Sequence, residues 1–166
     1  MSKNFVILFV FLLGFSTSNA QYLYFNDFIK LLDIAEERVE VEKFLESEGF
    51  SFTSFEYIID DDDDEDDTTH YQIDYHKKLI NGEYYYIKVI FDTEEDHYTV
   101  TEYSENEDRS FYFASILAEA ELEPVDEWKK SDGYEGFSFE SDDYYMIISK
   151  KPVDGEMQYR FTISAY

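Results

Sequence analysis

Residues 71–91 read YQIDYHKKLINGEYYYIKVIF and hold the clearest secondary-structure pattern of the chain. On both sides of Asn81-Gly82, apolar or aromatic residues alternate with other residues. The alternating set consists of Tyr71, Ile73, Tyr75, Tyr85, Ile87, Val89 and Phe91. A period of two is typical of a strand with one buried face, and Asn-Gly favours the tight turn of a β-hairpin. The stretch therefore predicts two paired antiparallel strands.

The residues around this hairpin predict an α+β chain. Apolar residues at three- and four-residue intervals predict one helix over 23–48, or two helices with a break near residues 38–41. Helical segments are also predicted over 111–122 and 125–130, and further strands at 50–57, 97–104, 136–141, 144–150 and 158–165. We expect a mainly antiparallel sheet of about seven strands with the helices on one face.

Internal similarities predict that the chain contains a duplication. EGFSF occurs at residues 48–52 and 135–139, an offset of 87, whereas residues 41–50 align with 125–134 at an offset of 84. The Lys-Lys and Gly-Glu pairs within residues 76–83 recur within 149–156. The two offsets conflict, and we favour 84 because it is anchored on the helical segments. We expect two helix-plus-meander repeats, at 23–104 and 109–166, within one domain.

Residues 1–20 have the plan of a cleavable secretory signal. Lys3 precedes the apolar run at residues 5–15, and Ser18 and Ala20 supply small residues at the −3 and −1 positions of a cleavage site. The run is short for a transmembrane helix, which needs about 20 apolar residues. We expect cleavage after Ala20 and no membrane anchor. Residues 21–166 would form a single domain without disulfides, because the chain contains no cysteine.

Three features of the chain occur together: a signal that ends before Gln21, no cysteine, and many Tyr, Phe, Asp and Glu residues. In this combination the chain resembles the uncharacterised small secreted or periplasmic proteins of Bacteroidota. The resemblance is compositional, extends loosely over the whole chain and depends on no motif. It implies a secreted or periplasmic location and no particular activity.

The chain is strongly acidic, with 39 Asp and Glu against 13 Lys and Arg and a formal net charge of −26. This charge opposes binding to nucleic-acid phosphates and to anionic membrane surfaces. It favours divalent cations and basic proteins as partners, and it also keeps a monomeric protein in solution. Aromatic residues make up 20% of the chain, which favours a folded core over disorder. We therefore expect a folded monomer that binds no nucleic acid.

An uninterrupted acidic run lies in a loop predicted at residues 59–69. It consists of Asp60, Asp61, Asp62, Asp63, Asp64, Glu65, Asp66 and Asp67. Calcium takes about six to eight oxygen ligands, so the run is a candidate metal site. A calcium loop spaces its ligands, as in D-x-[DN]-x-[DN]-G, whereas a continuous run points its side chains in all directions. A solvated loop with weak, diffuse cation binding is the simpler interpretation.

A second candidate site lies on the sheet. If Tyr85, Ile87 and Val89 face the helices, the residues that alternate with them face away. The candidate binding residues on this outer face are Tyr84, Tyr86, Lys88, Tyr103, Tyr145 and Arg160. Tyrosine and arginine are enriched at protein-binding surfaces. Cross-strand pairs that stabilise the sheet have the same composition, and the sequence leaves both interpretations open.

The sequence contains no catalytic signature. G-x-S-x-G, H-E-x-x-H, the P-loop and G-x-G-x-x-G are all absent, and there is no cysteine nucleophile. We predict a secreted or periplasmic, non-enzymatic binding protein that engages a basic or polar protein partner and needs no cofactor. One alternative is an acidic extracellular protein that binds Ca²⁺, and another is a small hydrolase.

The acidic run generates a prediction about cations. Ca²⁺ and Mg²⁺, each added at fixed ionic strength, should raise the melting temperature by equal small amounts, because diffuse binding screens charge without selecting an ion. The measurement is thermal unfolding of the chain from Gln21, beside a variant that lacks residues 60–67. A calcium-selective rise that disappears in the variant would contradict diffuse binding and favour the calcium-binding alternative.

Overall fold

The computed structural model of the chain describes residues 22–59, 69–92, 97–129 and 132–165. The predicted signal peptide at 1–20 and the acidic run at 60–67 lie outside the described residues. The described residues form three helices and eight strands. The helices are α1 (Phe25–Asp33), α2 (Arg38–Ser47) and α3 (Glu107–Glu119). The strands are β1 (Ser51–Ile59), β2 (Thr69–Lys78), β3 (Tyr84–Asp92), β4 (His97–Ser104), β5 (Asp126–Lys129), β6 (Glu135–Glu140), β7 (Tyr144–Val153) and β8 (Glu156–Ala165).

Helices α1 and α3 begin at polar side chains that bind backbone N–H groups. The Asp27 carboxylate accepts a hydrogen bond from the Tyr24 N–H at 2.7 Å, and the Asn106 side chain accepts one from the Asp108 N–H at 2.9 Å. Helices α1 and α2 are separated by a turn at residues 34–37, earlier than the break predicted near 38–41. Each helix buries one apolar face. The buried apolar residues are Phe28, Leu31, Leu32, Val41, Phe44, Leu45, Phe113 and Leu117.

The described strands form one antiparallel sheet in the order β1-β2-β3-β4-β8-β7-β6-β5. Strands β1–β4 form one meander and β5–β8 a second, and the last strands of the two meanders, β4 and β8, pair with each other. The predicted hairpin is β2–β3, with Ile73 opposite Val89 and Tyr75 opposite Ile87. The α+β class and the mainly antiparallel sheet are confirmed.

One element of the second half differs from its prediction. Residues 125–130, predicted to be helical, contain β5, so the described residues form eight strands where about seven were expected. Pro124 has no backbone N–H and interrupts the helical pattern before this segment. The Val125 N–H then donates to the Ser138 carbonyl oxygen at 2.9 Å, which aligns the following residues with β6. Pairing with the next strand, β6, therefore overrides a weak local helical pattern.

The described helices lie on one face of the sheet, the inner face, and the core lies between them. Phe28 of α1 and Phe113 of α3 meet Phe161 of β8, with ring centroids 5.5 and 3.7 Å away. The predicted inward residues Tyr75 and Ile87 are fully buried. Burial of one such large side chain contributes roughly 1.5–3 kcal/mol. An aromatic core therefore stabilises a chain that cannot form disulfides.

The two EGFSF copies adopt different structures. Gly49 ends the turn after α2 with a φ of 84°, whereas Gly136 lies within β6. A side chain at position 136 would place its Cβ 1.9 Å from the Ile148 carbonyl oxygen, so only glycine fits there. At the other offset, Gly49 and Gly133 share a left-handed φ, 84° and 90°. Only this glycine pair agrees with the offset of 84, because that offset equates helical residues of α2 with strand β5, so its helical anchor is wrong. The duplication itself stays a prediction.

A buried ion pair joins helix α3 to strand β4. Arg109 donates to both carboxylate oxygens of Glu102, at 2.8 and 2.7 Å, and the two residues are 7% and 2% exposed. Arg109 also donates to the Leu23 carbonyl oxygen at 2.7 Å, and the Tyr85 hydroxyl donates to Glu102 at 2.8 Å. Burial lowers the pKa of Arg109, but the hydrogen bonds and charge of Glu102 outweigh burial and raise that pKa above its ordinary value. Arg109 therefore stays charged inside the core.

The substitution Arg109→Met should lower the free energy of unfolding by about 3–5 kcal/mol, because it leaves the Glu102 carboxylate buried without its partner. Urea unfolding measures this loss. The matched control, Arg38→Met, breaks an exposed 2.9 Å pair with Glu42 and should lower the same free energy by less than about 1 kcal/mol. The double variant Glu102→Leu/Arg109→Met should recover most of the loss, since it removes both charges. Equal small losses in the two single variants would contradict a structural role for the buried pair.

Candidate functional site

The outer face of the sheet, opposite the helices, carries all the predicted binding residues. They are Tyr84, Tyr86, Lys88, Tyr103, Tyr145 and Arg160. On β3 these residues alternate with the buried Tyr85 and Ile87, so they point away from the core. Cross-strand pairing aligns Tyr86, Tyr103 and Arg160 in one row across β3, β4 and β8. The described helices pack on the other face, which leaves this row on the open side of the sheet.

Tyr84 and Tyr86 form the centre of an exposed aromatic surface that we call the tyrosine platform, together with His76 and Tyr103. The rings of Tyr84 and Tyr86 stack with centroids 6.1 Å apart and planes inclined by 29°. The His76 ring lies 6.0 and 6.4 Å from them, and its Nδ1 shares a 2.8 Å hydrogen bond with the Thr53 hydroxyl. Tyr84 and Tyr86 are 43% and 41% exposed. The platform therefore presents aromatic area in a fixed orientation on a paired strand.

Arg160 lies on the outer face, as predicted, but it is only 7% exposed because Tyr134 covers it. The guanidinium carbon of Arg160 is 3.9 Å from the centroid of the Tyr134 ring. Its Nε donates to the Ser149 hydroxyl at 3.2 Å, and its Nη1 donates to Asp132 at 3.4 Å. The Tyr134 hydroxyl donates to the Gln158 side chain. Arg160 therefore anchors Tyr134 at the border of the platform and does not present an open cation.

Sequence reasoning missed Tyr134 as part of this surface. Its ring lies 6.4 Å from the Tyr103 ring, and the Lys151 Nζ is 4.4 Å from its centroid. Tyr134 is only 2% exposed, so it borders the platform and adds no exposed aromatic area. The pattern around Gly133 indicates only a turn before β6. No periodicity marks Tyr134, because its position depends on a turn that places its ring against another strand.

Tyr145 lies on the outer face but apart from the platform. It pairs with Ser164 of β8, which in turn pairs with Thr99 of β4. Hydroxyl groups bond across the β4–β8 junction, with 3.1 Å between Thr101 and Thr162 and 2.9 Å between Thr99 and Ser164. The middle of the outer face is therefore a floor of small hydroxyl side chains, with aromatic residues on both sides.

A groove of about 330 Å³ adjoins the platform. Its lining residues are Thr53, Asp74, Tyr86, Ile87, Lys88, Tyr103 and Gln158. Within it, the Lys88 Nζ lies 3.9 Å from the Asp74 carboxylate, so these two charges face each other. Hydroxyl, amide and aromatic groups of this kind suit contact with a peptide or a polar side chain.

The candidate metal residues at 60–67 lie outside the described residues. Within the described part of the chain, no three His, Asp or Glu residues are grouped so that they could hold a metal ion. No described helix is both long enough and apolar enough to cross a membrane. The calcium-binding alternative therefore depends on the acidic run alone.

The chain has no match among protein-family models, curated proteins or solved structures. The resemblance to secreted or periplasmic proteins of Bacteroidota therefore stays an expectation from composition. The geometry and charge of the outer face are the basis of the function proposed below.

The Tyr134 phenol generates a prediction about alkaline pH. Burial, and next the charge of Tyr103, raise the pKa of Tyr134 from 10.0 to about 12. Since the folded state favours the neutral phenol, its contribution to stability is complete below pH 10 and declines as the pH rises to about 12. The substitution Tyr134→Phe should therefore make the chain relatively more stable, compared with the wild type, as the pH rises through that interval.

The measurement is the difference in unfolding free energy between the two chains at several pH values. Tyr145→Phe serves as the control, because Tyr145 lies on the same face outside the Arg160 site. A difference for Tyr134→Phe that does not change with pH would show that the phenol ionises equally in both states.

Proposed function

We propose that the protein is a secreted or periplasmic, non-enzymatic binding protein whose outer face engages a basic protein partner. The observation that carries this proposal is the tyrosine platform. Two stacked tyrosine rings stand more than two-fifths exposed on an otherwise hydroxyl-rich face, beside a groove of about 330 Å³. Tyrosine is enriched at interfaces because it offers a large amphipathic contact at low conformational-entropy cost.

The sheet supports this role by fixing the backbone under the platform. Tyr86 and Tyr103 are directly opposite each other on paired strands, and His76 lies against the rings of Tyr84 and Tyr86. Such preorganised side chains lose little freedom when a partner binds. The hydroxyl floor along β4 and β8 would accept and donate hydrogen bonds next to the aromatic contacts.

Charge supports a basic partner. The chain has a formal net charge of −26, which attracts cationic proteins and speeds their association. At the two ends of the outer face, Glu56 of β1 and Glu140 of β6 are exposed. Among the basic groups of the same face, Lys88 faces Asp74, Arg160 is buried under Tyr134, and the Lys151 Nζ lies over the Tyr134 ring. The exposed Lys78 lies beside the platform, with its Nζ 5.8 Å from the centroid of the Tyr84 ring. A cationic partner would meet tyrosine rings at the centre, with Lys78 at their edge, and carboxylates at the ends of the face.

We also propose that the outer face is assembled from two duplicated units. Each half of the described chain has helical residues followed by a four-stranded meander, which supports the proposal. The similarity of residues 76–83 to 149–156 equates the β2–β3 turn with the β7–β8 turn, whereas the order of strands equates β2–β3 with β6–β7. If the chain is duplicated, the strands that are similar in sequence are therefore one strand out of step with the strands that occupy equivalent positions in the two meanders.

The test of the binding proposal uses the double variant Tyr84→Ser/Tyr86→Ser. Basic secreted proteins retained by the immobilised chain are purified, and the affinity of each is measured by calorimetry. Loss of two central aromatic contacts should weaken binding roughly tenfold or more. Increasing salt should weaken the wild-type complex further, because charge attraction contributes to association.

The matched control is Phe111→Ser, which removes an exposed aromatic ring from α3, away from the outer face. This variant should bind each purified partner as the wild type does. Equal weakening in the control and the double variant, or no weakening in either, would show that the two tyrosine rings make no specific contact with the partner and would exclude the platform as the site.

A further inference from the structure

A row of aromatic side chains crosses the inner face near the turn between α1 and α2. We call Phe55, Tyr71, Phe91 and Tyr98 the aromatic wall. Cross-strand pairing places Tyr71 opposite Phe91 and Phe91 opposite Tyr98. Their rings stack at 5.9 and 5.0 Å with planes 7° and 4° apart, and Phe55 lies 5.8 Å from Tyr71. All four are only half-buried, so the wall lies where the core opens to solvent.

Two adjoining cavities lie against this wall, and together we call them the aromatic cleft. The first, of about 320 Å³, is bounded by Phe55, Tyr71 and Phe91 on the sheet and by Glu36 and Arg38 on the helical side. The second, of about 510 Å³, is lined by Asp33, Glu36, Tyr98, Asp142 and Asp143, among others. Glu36 lines both cavities, and the Phe91–Tyr98 stack joins their walls. Each volume is within the range of small-molecule sites, about 300–1,000 Å³.

The charged lining differs between the two cavities. The first has Arg38 beside Glu36, whereas the charged residues of the second, Asp33, Glu36, Asp142 and Asp143, are all acidic and exposed, which opposes an anionic ligand there. The faces of aromatic rings attract cations through their quadrupole.

The molecule itself contains an example of this attraction. The guanidinium carbon of Arg38 lies 4.2 Å from the centroid of the Phe55 ring, at one end of the wall. The aromatic wall therefore already contacts one cationic group through a ring face.

We infer that the aromatic cleft binds a small organic cation, with a flat or apolar body that carries an ammonium or guanidinium group. The body lies along Tyr71 and Phe91, and the cationic group lies between Tyr98 and the carboxylate of Glu36. Both components are needed, since the wall supplies apolar contact and the carboxylates supply charge. This site lies on the opposite side of the sheet from the tyrosine platform and does not depend on the function proposed for it.

The experiment uses phenethylammonium as the probe and 2-phenylethanol as its neutral counterpart, with binding to the chain followed by calorimetry. Phenethylammonium should bind, and 2-phenylethanol should bind at least about threefold more weakly, because it lacks the charge. The substitution Glu36→Gln should weaken phenethylammonium binding about threefold. Glu37→Gln makes the same change of charge at an exposed neighbour that is not a lining residue of either cavity, and it should leave binding unchanged.

A second variant tests the wall. Phe91→Leu keeps an apolar side chain but removes the ring between Tyr71 and Tyr98, and it should weaken phenethylammonium binding about threefold or more. Phe111→Leu is its control on α3. Because Phe91 packs against its neighbours, Phe91→Leu is interpreted only if its melting temperature stays near that of the wild type, whereas the exposed Glu36→Gln tests the site without that condition.

Three results would overturn the inference. Equal binding of 2-phenylethanol and phenethylammonium would show a merely apolar cavity. Equal effects of Glu36→Gln and Glu37→Gln would show attraction by net charge only. Absence of binding at millimolar probe would exclude the site. The Tyr84→Ser/Tyr86→Ser variant should bind the probe like the wild type. The result therefore distinguishes the inference about the cleft from the proposal about the outer face.

Discussion

The buried pair of Glu102 and Arg109 fixes how the layers of this molecule are arranged. Burying two charges is unfavourable unless both are paired and hydrogen-bonded, so the positions of the side chains around the pair are tightly restricted. Arg109 reaches both Glu102 oxygens and the Leu23 carbonyl oxygen, and its guanidinium carbon lies 4.7 Å from the Tyr22 ring. These contacts hold α3 and the segment before α1 against β3 and β4. The helices are thereby held on the inner face, and the outer face is left open.

The open face depends on the junction of the two meanders. Strands β4 and β8 meet in the middle of the sheet, and their outward residues are hydroxyl side chains that bond across the junction. Tyr103 from β4 and Arg160 from β8 are paired at one end of it, and Tyr134 covers Arg160 there. The tyrosine platform lies on β2, β3 and β4 of the first half, whereas the hydroxyl side chains beside it and the Arg160–Tyr134 contact at its border need β8 of the second half.

The sequence predicts what depends on neighbours along the chain. Alternation in β2 and β3 identifies the buried face, because successive strand residues point to opposite sides, and this also places Tyr84, Tyr86 and Lys88 on the outer face. Burial of Arg160 was not predictable, since it depends on a turn residue, Tyr134, that is distant in sequence. Strand β5 depends likewise on pairing with β6. The aromatic wall escaped prediction because its exposure depends on where α1 ends, at Asp33 and not near residues 38–41.

The chain has 16 tyrosine and 16 phenylalanine residues, and the two types occupy different positions in the fold. Phe28, Phe113 and Phe161 meet in the interior, where no polar group needs a partner. Two tyrosine hydroxyls at the core have hydrogen-bond partners: Tyr85 donates to Glu102, and the Tyr112 hydroxyl accepts from the Phe25 N–H at 2.9 Å. Among the described residues, the buried Tyr75 hydroxyl has no hydrogen-bond partner. Tyr84 and Tyr86 belong to neither group, since they stand on the opposite side of the sheet from that core. Packing of the core does not require their rings, so contact with a partner is the better explanation for two large aromatic side chains on an open face.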